Sequence, residues 1–314
     1  MLMVISLLLC IVELNNPIVI AHRGASGYAV EHTEAAKAIA HTQGADYIEQ
    51  DIVLSKDRVF IVTHDVTMEE TTDVEQCFPD RAREDGRYYF ADFDWSDIQK
   101  LTMHERTARN SNSPAMPNRF PTNVGQRVLR LADEIMLIRG LNQTTGKEVG
   151  LYIELKAPSF HKKEFGFSMG GSLLKLLAEL EVSESKCFIQ CFEPDELRDL
   201  HDRLHCRFPL VYLLGRRPSD SDLAGMATVA KGLGPSLDLL ATRNTNNAIE
   251  STGLVEAAKK LGYVVHPYTV RKHQQPRWST SIDETQRFLV DQLKVDGFFT
   301  DYPDLGRKAV DSKK

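Results

Sequence analysis

Short apolar runs rich in β-branched and aromatic residues recur along the chain, at residues 17–21, 47–53, 59–63, 150–155, 187–191, 209–214, 237–241, 263–267 and 295–300. Each has the length of a buried strand and is bounded by polar or turn-forming residues. Between most of them lie stretches with helical patterning, at 33–43, 171–180, 194–204, 254–261 and 282–293. The first opens with Thr33, a residue type suited to an N-cap. Strands that alternate with helices predict βα units and parallel pairing. The fold class expected is α/β, as a single TIM-type (β/α)8 barrel of about 250 residues or as two domains of about 150 each.

Nine runs are one more than such a barrel uses. Only residues 54–58 separate the second run from the third, and a parallel crossover needs about a dozen residues. These two runs are therefore expected to form a hairpin turning near Lys56 and Asp57. Paired positions would then sum to roughly 113, which sets Glu49 opposite His64. Residues 66–149 hold no clear strand and are too long for a bare loop. They contain helical patterning at 95–101 and 130–140, and a Pro/Asn/Ser-rich stretch at 110–123. This interval is expected to be a subdomain inserted after the second strand region, within a barrel domain covering residues 17–314.

Composition narrows the function classes. Among 314 residues, 42% are hydrophobic and 26% charged, which excludes wholesale disorder. Lys and Arg number 38 and Asp and Glu 44, a net charge of −6. No basic face of the kind a nucleic-acid binder needs is implied. An anionic substrate stays open, because a bound metal reverses the local field. Residues 1–12 carry no charge and are nearly all apolar. They are too short for a stable membrane span of about 20 residues. They read as an apolar leader within an N-terminal segment of residues 1–16, although no basic residue precedes them and no small-x-small cleavage site follows. If they act as a signal the protein is periplasmic or secreted; otherwise it is cytoplasmic. The five cysteines (Cys10, Cys77, Cys187, Cys191 and Cys206) are odd in number and form no CxxC pair. They indicate neither a disulfide framework nor a thiolate zinc site. Asn142-Gln143-Thr144 is a glycosylation sequon that matters only in an exporting eukaryote.

Four clusters carry chemistry. His22-Arg23-Gly24 ends the first strand, where α/β barrels place catalytic groups. Histidine exchanges a proton near neutral pH, and arginine's fork suits phosphate. Glu49 and Asp51 are two apart in a strand and share a face, while Gln50 points away. Two buried carboxylates repel unless a cation or a shared proton intervenes. His64 follows the third run and is brought back toward Glu49 by the hairpin. Glu154 ends another strand, with Lys156 two residues on. Taken singly, each cluster has a structural reading: a capped strand end, an acidic edge, a satisfied histidine, a surface Glu–Lys pair. Together they form the inventory for metal-assisted phosphoryl transfer.

In order, His22-Arg23-Gly24-Ala25, Glu31-His32-Thr33, Gly44 through Asp51, His64-Asp65, Ile153 through Lys156, Gln190-Cys191-Phe192 and Asp296 through Pro303 resemble the glycerophosphodiester phosphodiesterases. Glu31-His32-Thr33 and the segment from Asp80 to Tyr89 look most like the bacterial periplasmic branch. The resemblance covers about residues 18–306. It implies a TIM-type barrel and a divalent metal, Ca2+ in the periplasmic branch and Mg2+ in some others. Carried over by position, it implies Glu49, Asp51 and Glu154 as metal ligands and His22 and His64 as the acid–base pair. It further implies Arg23 and Lys156 on phosphate oxygens, with Glu31 near the substrate. Phe192 and Tyr268 are candidates to shape the glycerol or headgroup pocket. Two departures, Val30 where proline is frequent and Cys191 where serine is frequent, replace no proposed acid, base or ligand.

The expected reaction is hydrolysis of a small-molecule glycerophosphodiester to glycerol 3-phosphate and an alcohol, through a cyclic phosphate or by direct attack of water. One rival is a phospholipase of the phosphoinositide-specific or sphingomyelinase D type, acting on intact lipid. No Lys-rich amphipathic helix supports it. Another is a non-catalytic binder of glycerophosphodiesters, which would need no proton shuttles. Oligomeric state is not indicated by the sequence.

Overall fold

The computed structural model describes residues 16–107, Met116 and residues 125–312. The 1–12 leader, Cys10 and all of the 110–123 stretch except Met116 lie outside the described residues. Nine strands organise the rest: β1 (Ile18–Ala21), β2 (Tyr47–Leu54), β3 (Phe60–Val62), β4 (Gly150–Leu155), β5 (Cys187–Cys191), β6 (Leu210–Leu214), β7 (Gly232–Pro235), β8 (Val264–Val265) and β9 (Gly297–Thr300). All but β3 pair in parallel, in the spatial order β8-β7-β6-β5-β4-β2-β1-β9. Backbone hydrogen bonds join the two ends: Asp296 N donates to Val265 O at 3.1 Å, Phe299 N to Pro267 O at 2.9 Å and Val270 N to Phe299 O at 2.8 Å. The eight strands thus close into the expected TIM barrel.

Helices form the outer ring as the patterning predicts. Helix Glu34–Thr42 starts at Thr33, whose side chain accepts from Ala36 N at 3.3 Å. Leu131, Ile135 and Ile138 of helix Leu131–Thr145 pack in the main core between helices and strands. In this helix the Asn142 carboxamide is engaged by Val149 N, Val149 O and His41 Nε2. The sequon's side chain is therefore committed to the fold.

Two strand expectations are corrected. The run at 237–241 is not a barrel strand. Leu237–Leu239 is one short helical turn, and the strand is β7, upstream. Its sequence, Gly-Leu-Gly-Pro, looks unlike a strand because its neighbour supplies the apolar surface. A Cβ on Gly234 would lie 2.5 Å from Leu213 Cδ2, and one on Gly232 would lie 2.9 Å from Val211 Cγ2. The hairpin is present and antiparallel, but its register differs by one residue. Ile52 pairs with Val62, Val53 with Ile61 and Leu54 with Phe60, so positions sum to 114. Ser55 sets this, donating its N–H to Val59 O at 3.0 Å and accepting from Val59 N through its side chain at 2.9 Å. The turn is thereby centred on Asp57. Glu49 consequently does not face His64 across the ladder. The last hairpin bond is Thr63 N to Asp51 O at 2.9 Å.

Beyond the hairpin, Met68, Val74, Tyr88, Phe90, Phe93, Ile98, Leu101, Met103 and Val128 form a second core with Val53 and Ile61. This unit leans on the barrel through Arg83, which bonds both Asp92 and Glu164, and through Tyr89 stacked on Phe160 with ring centres 5.6 Å apart.

Inside the barrel, Ile20, Tyr152, Val211 and Phe299 fill the lumen with Tyr47, Phe188 and Tyr268 around them. Tyr152 stacks on Phe188 at 4.8 Å and its hydroxyl shares a 2.9 Å hydrogen bond with His266 Nδ1. Burial pushes His266 down to about 4. The unfolded chain then binds a proton between about pH 6.5 and 4 that the folded chain refuses, so stability falls as pH drops through that window. We expect this histidine alone to cost about 2 kcal/mol between pH 7.5 and pH 5. Urea unfolding at both pH values checks this, and His266→Phe should lose less stability over the same interval.

Candidate active site

The chemistry collects at the carboxyl ends of the strands. At the end of β1, His22 N donates to Thr300 O at 3.0 Å, and the chain then turns sharply through Arg23 (φ 56°) and Gly24 (φ 86°). A Cβ on Gly24 would sit 2.8 Å from the Ala36 carbonyl carbon, so only glycine lets this turn lie against helix Glu34–Thr42. The turn aims the Arg23 N–H at Glu49 Oε2, 2.6 Å away.

Strand alternation puts Glu49 and Asp51 on the lumen side, while Ile48 and Ile52 join the outer core. Parallel register then extends one row laterally: Asp51 is level with Glu154 on β4, and Glu154 with Gln190 on β5. One level down, Glu49 is beside Tyr152, and Tyr152 beside Phe188. Asp51 and Glu154 thus stand on an aromatic floor, with Glu49 set beside it. All three are nearly fully buried. They line a cavity of about 180 Å³ together with His22, Arg23, His64, Lys156, Gln190, Phe192, Leu213, Tyr268 and Arg271.

Each residue singled out in the sequence has a definite place. Arg23 reaches Glu31 with Nη1 at 3.1 Å and Asp51 with Nε at 3.3 Å. Glu31 is bridged between Arg23 and Arg106, the latter 2.6 Å away. Lys156 Nζ lies 2.6 Å from Glu154 and 3.6 Å from Asp51 Oδ1, and faces the Phe192 ring at 5.7 Å. Phe192 is 40% exposed and meets Tyr268 edge-on at 5.7 Å. The Tyr268 hydroxyl donates to Leu214 O at 3.0 Å. The two histidines line the same cavity, and each is held by a carboxylate. His22 Nδ1 is 2.7 Å from Asp301, and His64 Nδ1 is 2.7 Å from Asp65. A carboxylate accepts from Nδ1–H, which leaves Nε2 bare in the neutral ring.

Electrostatics follow from burial. Loss of hydration, reinforced by Arg23, pushes His22 down to about 4 despite Asp301. Burial and Arg23 also lower His64. Burial, then the charges of Asp51 and Glu154, drive Glu49 well above the usual carboxylate range. Burial raises Glu154 to about 7 even beside Lys156. For Asp51, burial is outweighed by Lys156, the His32 hydrogen bond, His64 and Arg23, which together hold its carboxyl well below that range.

The donor set fits a hard divalent cation. Three oxygen-bearing acids line one cavity, and Asp51 Oδ1 is buried without a hydrogen-bond partner among the described residues. Ligating atoms of His32, Glu49 and Asp51 lie within 4.8 Å of one another. His32, Asp301 and Gln190 stand in the motifs quoted from the sequence but were given no role there, and Arg106 and Arg271 were not singled out. Asp301 carried a readable signal, standing one residue past a strand end. Gln190 did too, standing next to last in an apolar run and level with Glu154, and its Oε1 is buried without a hydrogen-bond partner. Arg106 comes from the inserted region, where no pattern points to it. No helix among the described residues is long and apolar enough to cross a membrane.

Comparison with known proteins finds relatives over nearly the whole chain. A glycerophosphodiester phosphodiesterase of Haemophilus influenzae is 35% identical, with 93% of this chain and 89% of the relative aligned. One of Treponema pallidum is 32% identical, with 92% and 90% aligned. Among solved structures, a phosphodiesterase of Oleispira antarctica in complex with the product sn-glycerol-3-phosphate superposes with a TM-score of 0.67. It does so at 19% identity over 94% of this chain and 97% of that one, a likeness of fold. The family model for glycerophosphoryl diester phosphodiesterases matches residues 22–305, and the chain belongs to that family.

Proposed function

We propose that this chain hydrolyses glycerophosphodiesters to glycerol 3-phosphate and an alcohol, using a divalent cation held by Glu49, Asp51 and Glu154. The observation that carries the reading is the row of buried carboxylates beside two carboxylate-oriented histidines. All-oxygen donors suit Ca2+ first and Mg2+ second. When bound, the cation supplies Lewis acidity toward a non-bridging phosphate oxygen.

The protein's own groups do the rest. Arg23 and Lys156 hold phosphate oxygens, while Phe192 and Tyr268 wall the glycerol side. His22, kept neutral by burial, takes the proton of the glycerol 2-hydroxyl on Nε2. That hydroxyl attacks the neighbouring phosphorus. His64 is protonated as the substrate anion arrives and gives its proton to the departing alcohol oxygen. Water then opens the cyclic glycerophosphate with the histidine roles exchanged. Asp301 and Asp65 keep the rings aimed throughout.

A coupled assay for glycerol 3-phosphate tests this with glycerophosphocholine and glycerophosphoethanolamine. Activity should vanish with EDTA and return with Ca2+ or Mg2+. Turnover of lipid vesicles alone would favour the phospholipase reading, and binding without turnover the non-catalytic one. His22→Ala and His64→Ala should each lower kcat by at least about 100-fold; full activity in either removes that histidine from the mechanism. Burial pushes Glu154 up to about 7, so protons compete with the cation for the site. Ca2+ affinity measured by calorimetry should therefore rise about tenfold from pH 6 to pH 8. Glu49→Gln should weaken affinity and turnover together.

A further inference from the structure

We propose that Lys37 and His32 form a relay behind the carboxylates that positions Asp51 for the cation. Lys37 is a positioning residue and touches neither substrate nor cation. The inference rests on the cation reading given above.

Lys37 lies on the inner face of helix Glu34–Thr42 and is fully buried. A buried ammonium is costly unless paired and hydrogen-bonded. Its Nζ is 2.8 Å from Glu134 Oε1 on helix Leu131–Thr145. It also donates to the Glu49 carbonyl at 2.5 Å and lies 3.4 Å from His32 Nδ1. An ammonium only donates, so His32 Nδ1 must accept. The proton of the neutral imidazole then sits on Nε2, 2.9 Å from Asp51 Oδ2, and is donated there. Arg23 Nε lies 3.3 Å from the same oxygen as an ion-pair partner. Asp51 Oδ2 is thereby engaged by His32, while Oδ1, without a hydrogen-bond partner, stands on the Lys156 side of the carboxyl group.

The opposite tautomer would be repelled twice. An Nδ1–H would confront the ammonium, and a bare Nε2 would confront a carboxylate oxygen. Lys37 therefore fixes the tautomer of His32, and His32 fixes the rotation of Asp51. Through the Glu49 carbonyl, Lys37 also pins the backbone of a second acid. Glu134 neutralises Lys37 locally, so the relay orients Asp51 without adding a net positive charge that would repel the cation. The proximity of His32 to Glu49 and Asp51 has another meaning if His32 is itself a ligand. Direct ligation needs a bare Nε2, which the Lys37 contact opposes.

Calorimetric titration with Ca2+, alongside ¹⁵N NMR of the His32 ring, tests the relay in the full chain. His32→Leu should weaken Ca2+ binding by about 10–100-fold, while His32→Gln, which keeps an N–H near the Nε2 position, should stay within about threefold. The double variant Lys37→Met/Glu134→Gln removes both buried charges at once. It should fold with an undiminished Tm without cation, yet bind Ca2+ about tenfold more weakly. In the wild type Nε2 should carry the proton and Nδ1 should not; the double variant should lose that preference. Wild-type affinity in His32→Leu, or a wild-type proton on Nδ1, overturns the relay. Equal weakening by leucine and glutamine also overturns it, making His32 a ligand. A wild-type chain that binds neither Ca2+ nor Mg2+ overturns the cation reading and the relay together.

Discussion

Negative charge packed where water hydrates it poorly is the constraint on which the site depends. Glu49, Asp51 and Glu154 share one barrel mouth above the Tyr152 and Phe188 rings. In such surroundings carboxylates repel one another and are poorly hydrated. The fold meets this with fixed positive groups: Arg23 at the rim and Lys156 beside Glu154. Protons make up the remainder, since Glu49 and Glu154 are both pushed toward their neutral forms. A divalent ion is the species proposed to relieve what these partners leave.

The same constraint explains the geometry of the strand ends. Arg23 and Gly24 turn with positive φ, and that conformation delivers the Arg23 N–H to Glu49. The strained turn and the acid layer are one construction. The inserted region contributes at the rim, where Arg106 ties Glu31, Asp65 and Glu70 together. Through Asp65 it steadies His64, and through Glu31 it steadies Arg23.

Much of this was legible in the sequence because the chemistry-bearing residues end apolar runs. His22, Glu154 and the Glu49–Asp51 pair are all readable by position on a strand. What escaped did so for physical reasons. Strand β7 borrows its apolar surface from Val211 and Leu213, so its own residues carry no strand pattern. The hairpin register turned on the Ser55 side chain, which a count of loop residues does not weigh. Lys37 looks like an ordinary solvated residue in an Ala-rich helix. Its meaning comes from Glu134, almost a hundred positions away, and from a histidine that only tertiary packing brings near. Contacts of that kind leave no periodicity to read.

The pairing of His22 with Asp301 joins residues 279 positions apart, from the first and last strands of the ring. A polypeptide still emerging from the ribosome already has the imidazole, but nothing yet orients it. With His22 as the proposed base, competence should arrive only when the carboxyl-terminal strand docks against the amino-terminal one. Turnover would in that sense be a readout of a completed circle, and a chain truncated before its final strand should be inert.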